Sequence, residues 1–169
     1  MATDYIQMIS NMSEETFAEV IQASPRKIRE TLFGRMGIKA KKRVGVRVHG
    51  KLEDRTKKLH VKLKQGTSAQ EIELCQELAR NWLFTQRPLL KATLDFLNVP
   101  NDNGLIDEDP TFFQELEKDK LTELVAHLNK EFSLESIQIY LQFVEVPNLD
   151  EVIKEAQADP TALPPSDSE

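Results

Sequence analysis

From Ile72 to Val144 the apolar residues recur at three- and four-residue intervals, and a chain with that spacing has few options other than packed helices. Ile72, Cys75, Leu78, Ala79, Trp82 and Leu83 make one wide stripe of about four turns, preceded by Ser68 and Glu71 at capping-box spacing. Arg87-Pro88 interrupts that stripe and starts another, on which Leu90, Leu94 and Leu97 align with Phe96 beside them. Asp109-Pro110 opens a short helix carrying Phe112, Phe113 and Leu116, and Leu121, Leu124, Val125 and Leu128 mark the next. Ser133 then caps a helix with Ile137, Tyr140, Leu141 and Val144. Nearer the N-terminus, Ser13 suits an N-cap, with Glu14 and Glu15 placed to favour the helix dipole. Ser24-Pro25 begins a second helix, striped by Ile28, Leu32, Phe33 and Met36, that Gly34 or Gly37 can end.

Between these helical regions the period changes. Val44, Val46 and Val48 alternate with polar residues, as do Leu59, Val61 and Leu63, and a polar connection from Gly50 to Thr56 separates the runs. That pattern predicts a β-hairpin with one apolar and one cationic face, with a basic linker as the alternative. The expected fold class is therefore mainly α: a helical bundle with a small two-stranded basic hairpin or linker inserted at about residues 43–64. The expected divisions are an N-terminal helical hairpin (1–37), the basic insert (38–66), a helical core domain around Trp82 (67–147) and an acidic mobile tail (148–169). The core is expected to draw on Leu78, Leu90, Leu94, Phe112, Leu124, Leu128, Ile137 and Tyr140. Within the tail, Leu149, Val152 and Ile153 are spaced for one last helical turn.

Charge is segregated as sharply as periodicity. Residues 26–64 hold fifteen Lys and Arg against Glu30, Glu53 and Asp54, a net of +12, whereas the whole chain carries −6. Such a cluster repels itself, so something must neutralise it: a polyanion, an acidic partner or the chain's own acidic part. Lys and Arg that pair with phosphates release condensed counterions, which makes a basic stripe a sequence-independent nucleic-acid surface. Gly34 to Lys64 holds no Phe, Tyr or Trp for base stacking, so backbone contact to a duplex or structured RNA is favoured. Arg43, Arg47, Lys51, Lys58, Lys62 and Lys64 are the expected phosphate contacts. The alternative is a protein-interaction or scaffolding module, self-associating or not, whose basic segment docks on acidic helices. Ser24-Pro25-Arg26-Lys27 resembles short Ser-Pro-basic-basic elements that touch AT-rich minor grooves, although an N-cap and a first-turn proline explain it fully.

Other chemistries find little support. Asn101 to Asp107 is similar to the middle of a calcium loop, but that register puts Val99 and Pro110 where carboxylates are required. His49 and His60 lack a third metal ligand, and Glu123, His127 and Glu131 have the spacing of surface ion pairs. The glycines match no phosphate-binding loop. Cys75, the only cysteine, sits among apolar residues and reads as a buried thiol. No catalytic residue, metal or cofactor is expected. No apolar run reaches the roughly 18 residues that span a bilayer, and Met1 to Met12 lacks a basic leader followed by a continuous apolar stretch. The expected compartment is the cytoplasm.

Overall fold

In the computed structural model, the structure is described for residues 4–38, 41–43, 46–48, 51–66, 71–107 and 110–158. These are mainly helical and fall into two compact units, Asp4–Thr85 and a second that begins at Gln86.

The first unit contains α1 (Tyr5–Ser10), α2 (Glu14–Ala23), α3 (Arg26–Arg35), α4 (Leu52–Lys64) and α5 (Ile72–Leu83). Its core is built from α1, α2, α4 and α5, which bury Ile9, Phe17, Val20, Ile21, Leu59, Leu63, Leu78 and Trp82, with α3 adding Leu32 and Phe33. Ser13 caps α2 as its sequence predicts, its Oγ accepting from the Thr16 amide at 3.2 Å. Ser24 turns inward instead: it is buried, and its hydroxyl donates to the Val20 carbonyl at 2.8 Å. Gly37 ends α3 at φ +68°, with the Ile38 amide reaching back to the Phe33 carbonyl at 2.8 Å, the six-to-one bond of a Schellman cap. The residues of the predicted capping box before α5, Ser68 among them, lie outside the described residues except for Glu71.

The predicted hairpin over 43–64 is not what the chain forms. Its second run, Lys58 to Lys64, lies inside α4. Lys41–Arg43 (β1) and Val46–Val48 (β2) pair antiparallel, Lys42 opposite Arg47, so this short ladder falls entirely before α4. Leu59 and Leu63 alternate with polar neighbours, but they are also four residues apart and share one helical face. Arg55, Thr56 and His60 complete that buried face, so a stripe read from apolar residues alone looks too thin for a helix. The termini carry the corrective signal: Glu53 and Asp54 occupy the first turn of α4 and Lys62 and Lys64 the last, the order a helix dipole favours.

The second unit contains α6 (Arg87–Phe96), a 3-10 turn at Thr111–Phe113, α7 (Lys118–Leu128), α8 (Leu134–Phe143) and α9 (Leu149–Ala158). Leu90, Leu94, Leu124, Leu128, Ile137 and Tyr140 are buried here, and Phe112 is half-buried. Trp82 and Leu78 belong to the first unit, so the residues expected around one tryptophan serve two cores. Residues 149–158, expected to start a mobile tail, form a ten-residue helix that packs on α7 and α8 through Leu149, Val152 and Ile153. Lys118 fastens it, reaching Glu151 and Glu155 at 3.0 Å each. The loop with calcium-loop likeness is a tight turn. Asn101 Oδ1 accepts from the Gly104 amide at 2.9 Å, Asn101 Nδ2 donates to Asp95 Oδ1 and the Val99 carbonyl, and Asp102 bridges Leu105.

Candidate functional site

Two contacts tie α3 to α4. Arg55 makes a bidentate pair with Glu30, Nη1 to Oε1 at 2.9 Å and Nη2 to Oε2 at 2.7 Å, and its guanidinium lies 4.2 Å from the Phe33 ring centroid. Lys62 Nζ donates to the Met36 carbonyl at 2.7 Å, satisfying a helix-end acceptor of α3. The ties come in the same order along both helices, six residues apart on α3 and seven on α4. Arg26 and Lys27 lie in the first turn of α3, and Lys51 is the N-cap residue of α4.

Of the predicted contacts, Lys51, Lys58, Lys62 and Lys64 are exposed. At about 100° per residue, Lys58 and Lys62 fall within roughly 40° of one another on α4, on the side from which Arg55 reaches Glu30 of α3, while Lys51 is the extended N-cap residue just before the helix. Lys64 stands on the opposite edge, beside α2. The helix thus brings Lys58 and Lys62 together and sets Lys64 apart. Arg43 and Arg47 lie on β1 and β2, in register with Val46 and Lys42, and their side chains are outside the described residues.

The positive charge is only partly matched. Arg55 and Lys57 take carboxylates from inside the segment, Glu30 and Glu53. Lys57 and Glu53 are exposed partners one helical turn apart, each favouring the other's charged form: the Lys57 ammonium is raised and the Glu53 carboxyl lowered by their shared hydrogen bond. Arg26, Lys27, Lys51, Lys58 and Lys64 form no ion pair with a described residue. The first turn of α3 holds Arg26, Lys27 and Arg29 and no acid, and no side chain caps its N-terminus. Cations there oppose the helix dipole, at a cost of about 0.3–1 kcal/mol each when exposed.

The residues that sequence reasoning missed lie on the far edge of α4. A groove of about 580 Å³ runs between α2 and α4, floored by Phe17, Ala18 and Leu52, with Val61 exposed at its edge and charged side chains around it. His60 stands in its wall, stacked on Phe17 at 4.3 Å between ring centroids, its Nε2 donating to the Ser10 carbonyl at 3.1 Å. Burial and the nearby Lys64 charge lower its pKa, against the opposing pull of the Ser10 carbonyl and Glu14. Read as a polar outward residue, His60 gave no sign of this role.

Elsewhere, burial pushes the Cys75 thiol up to about 12, with Glu71 and Asp4 adding to the effect, so its reactive thiolate is strongly disfavoured. His127 lies against the Phe96 ring at 5.0 Å. Among the described residues, no three His, Cys, Asp or Glu side chains gather as a metal site, and no helix is long and apolar enough to cross a membrane. Comparison with known protein families, with curated proteins and with solved structures returns no match.

Proposed function

We propose that the chain is a non-enzymatic binding module that contacts a polyanion, the backbone of nucleic acid, along the α3–α4 edge. The observation that carries this reading is the alignment of Lys58 and Lys62 on the side of α4 from which Arg55 reaches Glu30 of α3, with exposed Lys51 at the N-cap of α4 and exposed Arg26 and Lys27 in the first turn of α3. Lys51 and Lys58 are exposed and form no ion pair with a described residue, and Lys62 keeps donor capacity beyond its bond to Met36. A phosphate backbone lying along this edge relieves the mutual repulsion of these cations and the unfavourable charge at the start of α3. Residues 39–50 connect the end of α3 to the start of α4 and hold Arg43 and Arg47, which are further candidates for phosphate contact in this reading.

The test is a mobility-shift titration of the full chain against duplex DNA and a structured RNA hairpin. Three or four neutralised phosphates predict that affinity falls roughly 40- to 150-fold between 50 and 200 mM salt. Lys51→Glu with Lys58→Glu should abolish the shift while far-UV circular dichroism stays unchanged, because neither side chain holds the fold. A shift that survives this double reversal, or that ignores salt, rejects the reading.

A further inference from the structure

The groove on the other edge of α4 has a chemistry that phosphate does not suit. Val61 is 55% exposed, one of four large apolar side chains so placed among the described residues, and it stands over the groove. An apolar floor inside a charged rim is the anatomy of a protein interface rather than of an enclosed small-molecule site. The rim carries Glu14, Glu15 and Glu53 against Lys57 and Lys64, a net of −1. Lys57 is held by Glu53, whereas Glu14 and Glu15 are exposed and form no ion pair with a described residue. These carboxylates repel nucleic acid and anionic lipid and attract a cation.

We propose that the α2–α4 groove docks an amphipathic helix of a partner protein, with apolar side chains on the floor and Lys or Arg opposite Glu14 and Glu15. At 1.5 Å per residue, the ten residues of α2 present a trough of about 15 Å, which fits a helical segment of roughly ten residues. Anchors at i, i+3 or i+4, and i+7 then meet the groove on successive turns. The site is distinct from the α3–α4 edge, so one helix of the chain presents a polyanion surface on one side and a peptide-binding trough on the other.

The experiment is a fluorescence-anisotropy titration of the full chain with a labelled fourteen-residue amphipathic helix made of Leu and Lys. The same peptide with Glu in place of Lys serves as the comparison. Saturable one-to-one binding of the Leu/Lys peptide is expected, at least tenfold tighter than that of the Leu/Glu peptide. Ala18→Trp, which fills the trough, should weaken it at least tenfold. Val61→Ser, a change at an exposed position, should weaken it severalfold without disturbing the fold, and Glu14→Lys with Glu15→Lys should reverse the preference between the peptides. The Lys51→Glu, Lys58→Glu variant should bind the Leu/Lys peptide normally, which separates this site from the polyanion surface. Equal binding of both peptides, or indifference to both Ala18→Trp and Val61→Ser, overturns the proposal. So does a concentration-dependent dimer that Val61→Ser dissociates, since the trough would then be covered by a second copy of the chain.

Discussion

The unit Asp4–Thr85 and the unit that begins at Gln86 are both helical, but they differ in what they bury. Among the described residues the first encloses Ser10, Ser24, Arg55, Thr56, His60 and Glu71, whereas the second encloses, besides the hydroxyl of Tyr140, only Thr93. An enclosed polar group costs stability unless its partners are in place, and truncating one partner leaves the other stranded. The first unit therefore depends on specific pairings and the second on shape. The functional proposals also fall in the first unit, where one helix, α4, joins its core to both candidate surfaces.

The largest effect should come from stranding Arg55. Glu30→Ala leaves its guanidinium without a carboxylate, and about 2–3 kcal/mol of the first unit's stability should be lost, toward the lower end for a broken buried pair because Glu30 is one-third exposed. Trp82, the only tryptophan, lies in this unit, so its fluorescence during urea unfolding reads the loss directly. An unchanged midpoint would show that water replaces the carboxylate at no cost.

Shape is tested at Gly104 in the second unit. Its φ is +83°, and an added Cβ would come within 2.8 Å of Leu90 Cβ and 2.9 Å of the Lys91 amide nitrogen. Gly104→Ala should cost about 2 kcal/mol, from backbone strain and overpacking together. Far-UV circular dichroism should show an early transition that Trp82 fluorescence does not. Coincident transitions would mean that the two units unfold as one, and the contrast between them would lose its thermodynamic meaning.

The smallest effect is a pH dependence confined to the first unit. The folded pKa of His60 lies below its ordinary value, so the unfolded chain takes up the proton first as pH falls. The stability it supports is present above about pH 6.5, the unfolded value, and declines below it. Glu14 and Lys64 flank the ring with opposite signs, which keeps the effect modest. His60→Gln should flatten the dependence of the Trp82-reported midpoint between pH 7 and 5.5. An identical slope in the variant would assign the dependence to carboxylates.

The same contrast explains what could be read from the sequence. In the second unit Leu121, Leu124, Val125 and Leu128 are all buried as their spacing predicts, because apolar residues alone draw the inner face of α7. In α4 that face is shared with Thr56, whose hydroxyl bonds one turn back to the Leu52 carbonyl, and with Arg55 and His60, whose partners, Glu30 and the Ser10 carbonyl, sequence distance conceals. The lysines of the segment were legible as charge. Their division between two edges of one helix was not, since an alternating pattern assigns Lys58, Lys62 and Lys64 to one strand face. The helix after Asn148 was half visible: Leu149, Val152 and Ile153 have helical spacing, but an acidic composition masked a segment whose glutamates are held by Lys118.

The two ties between α3 and α4 have a further consequence for the stretch that joins them. Its ends leave from helices that Arg55 and Lys62 already join, so those two ties do not depend on its length or composition. Lengthening such a connection costs little, about 0.6 kcal/mol per doubling. Residues 39–50 are thus open to engineered exchange, a socket into which a different basic sequence could be set while the Arg55 and Lys62 ties stay in place.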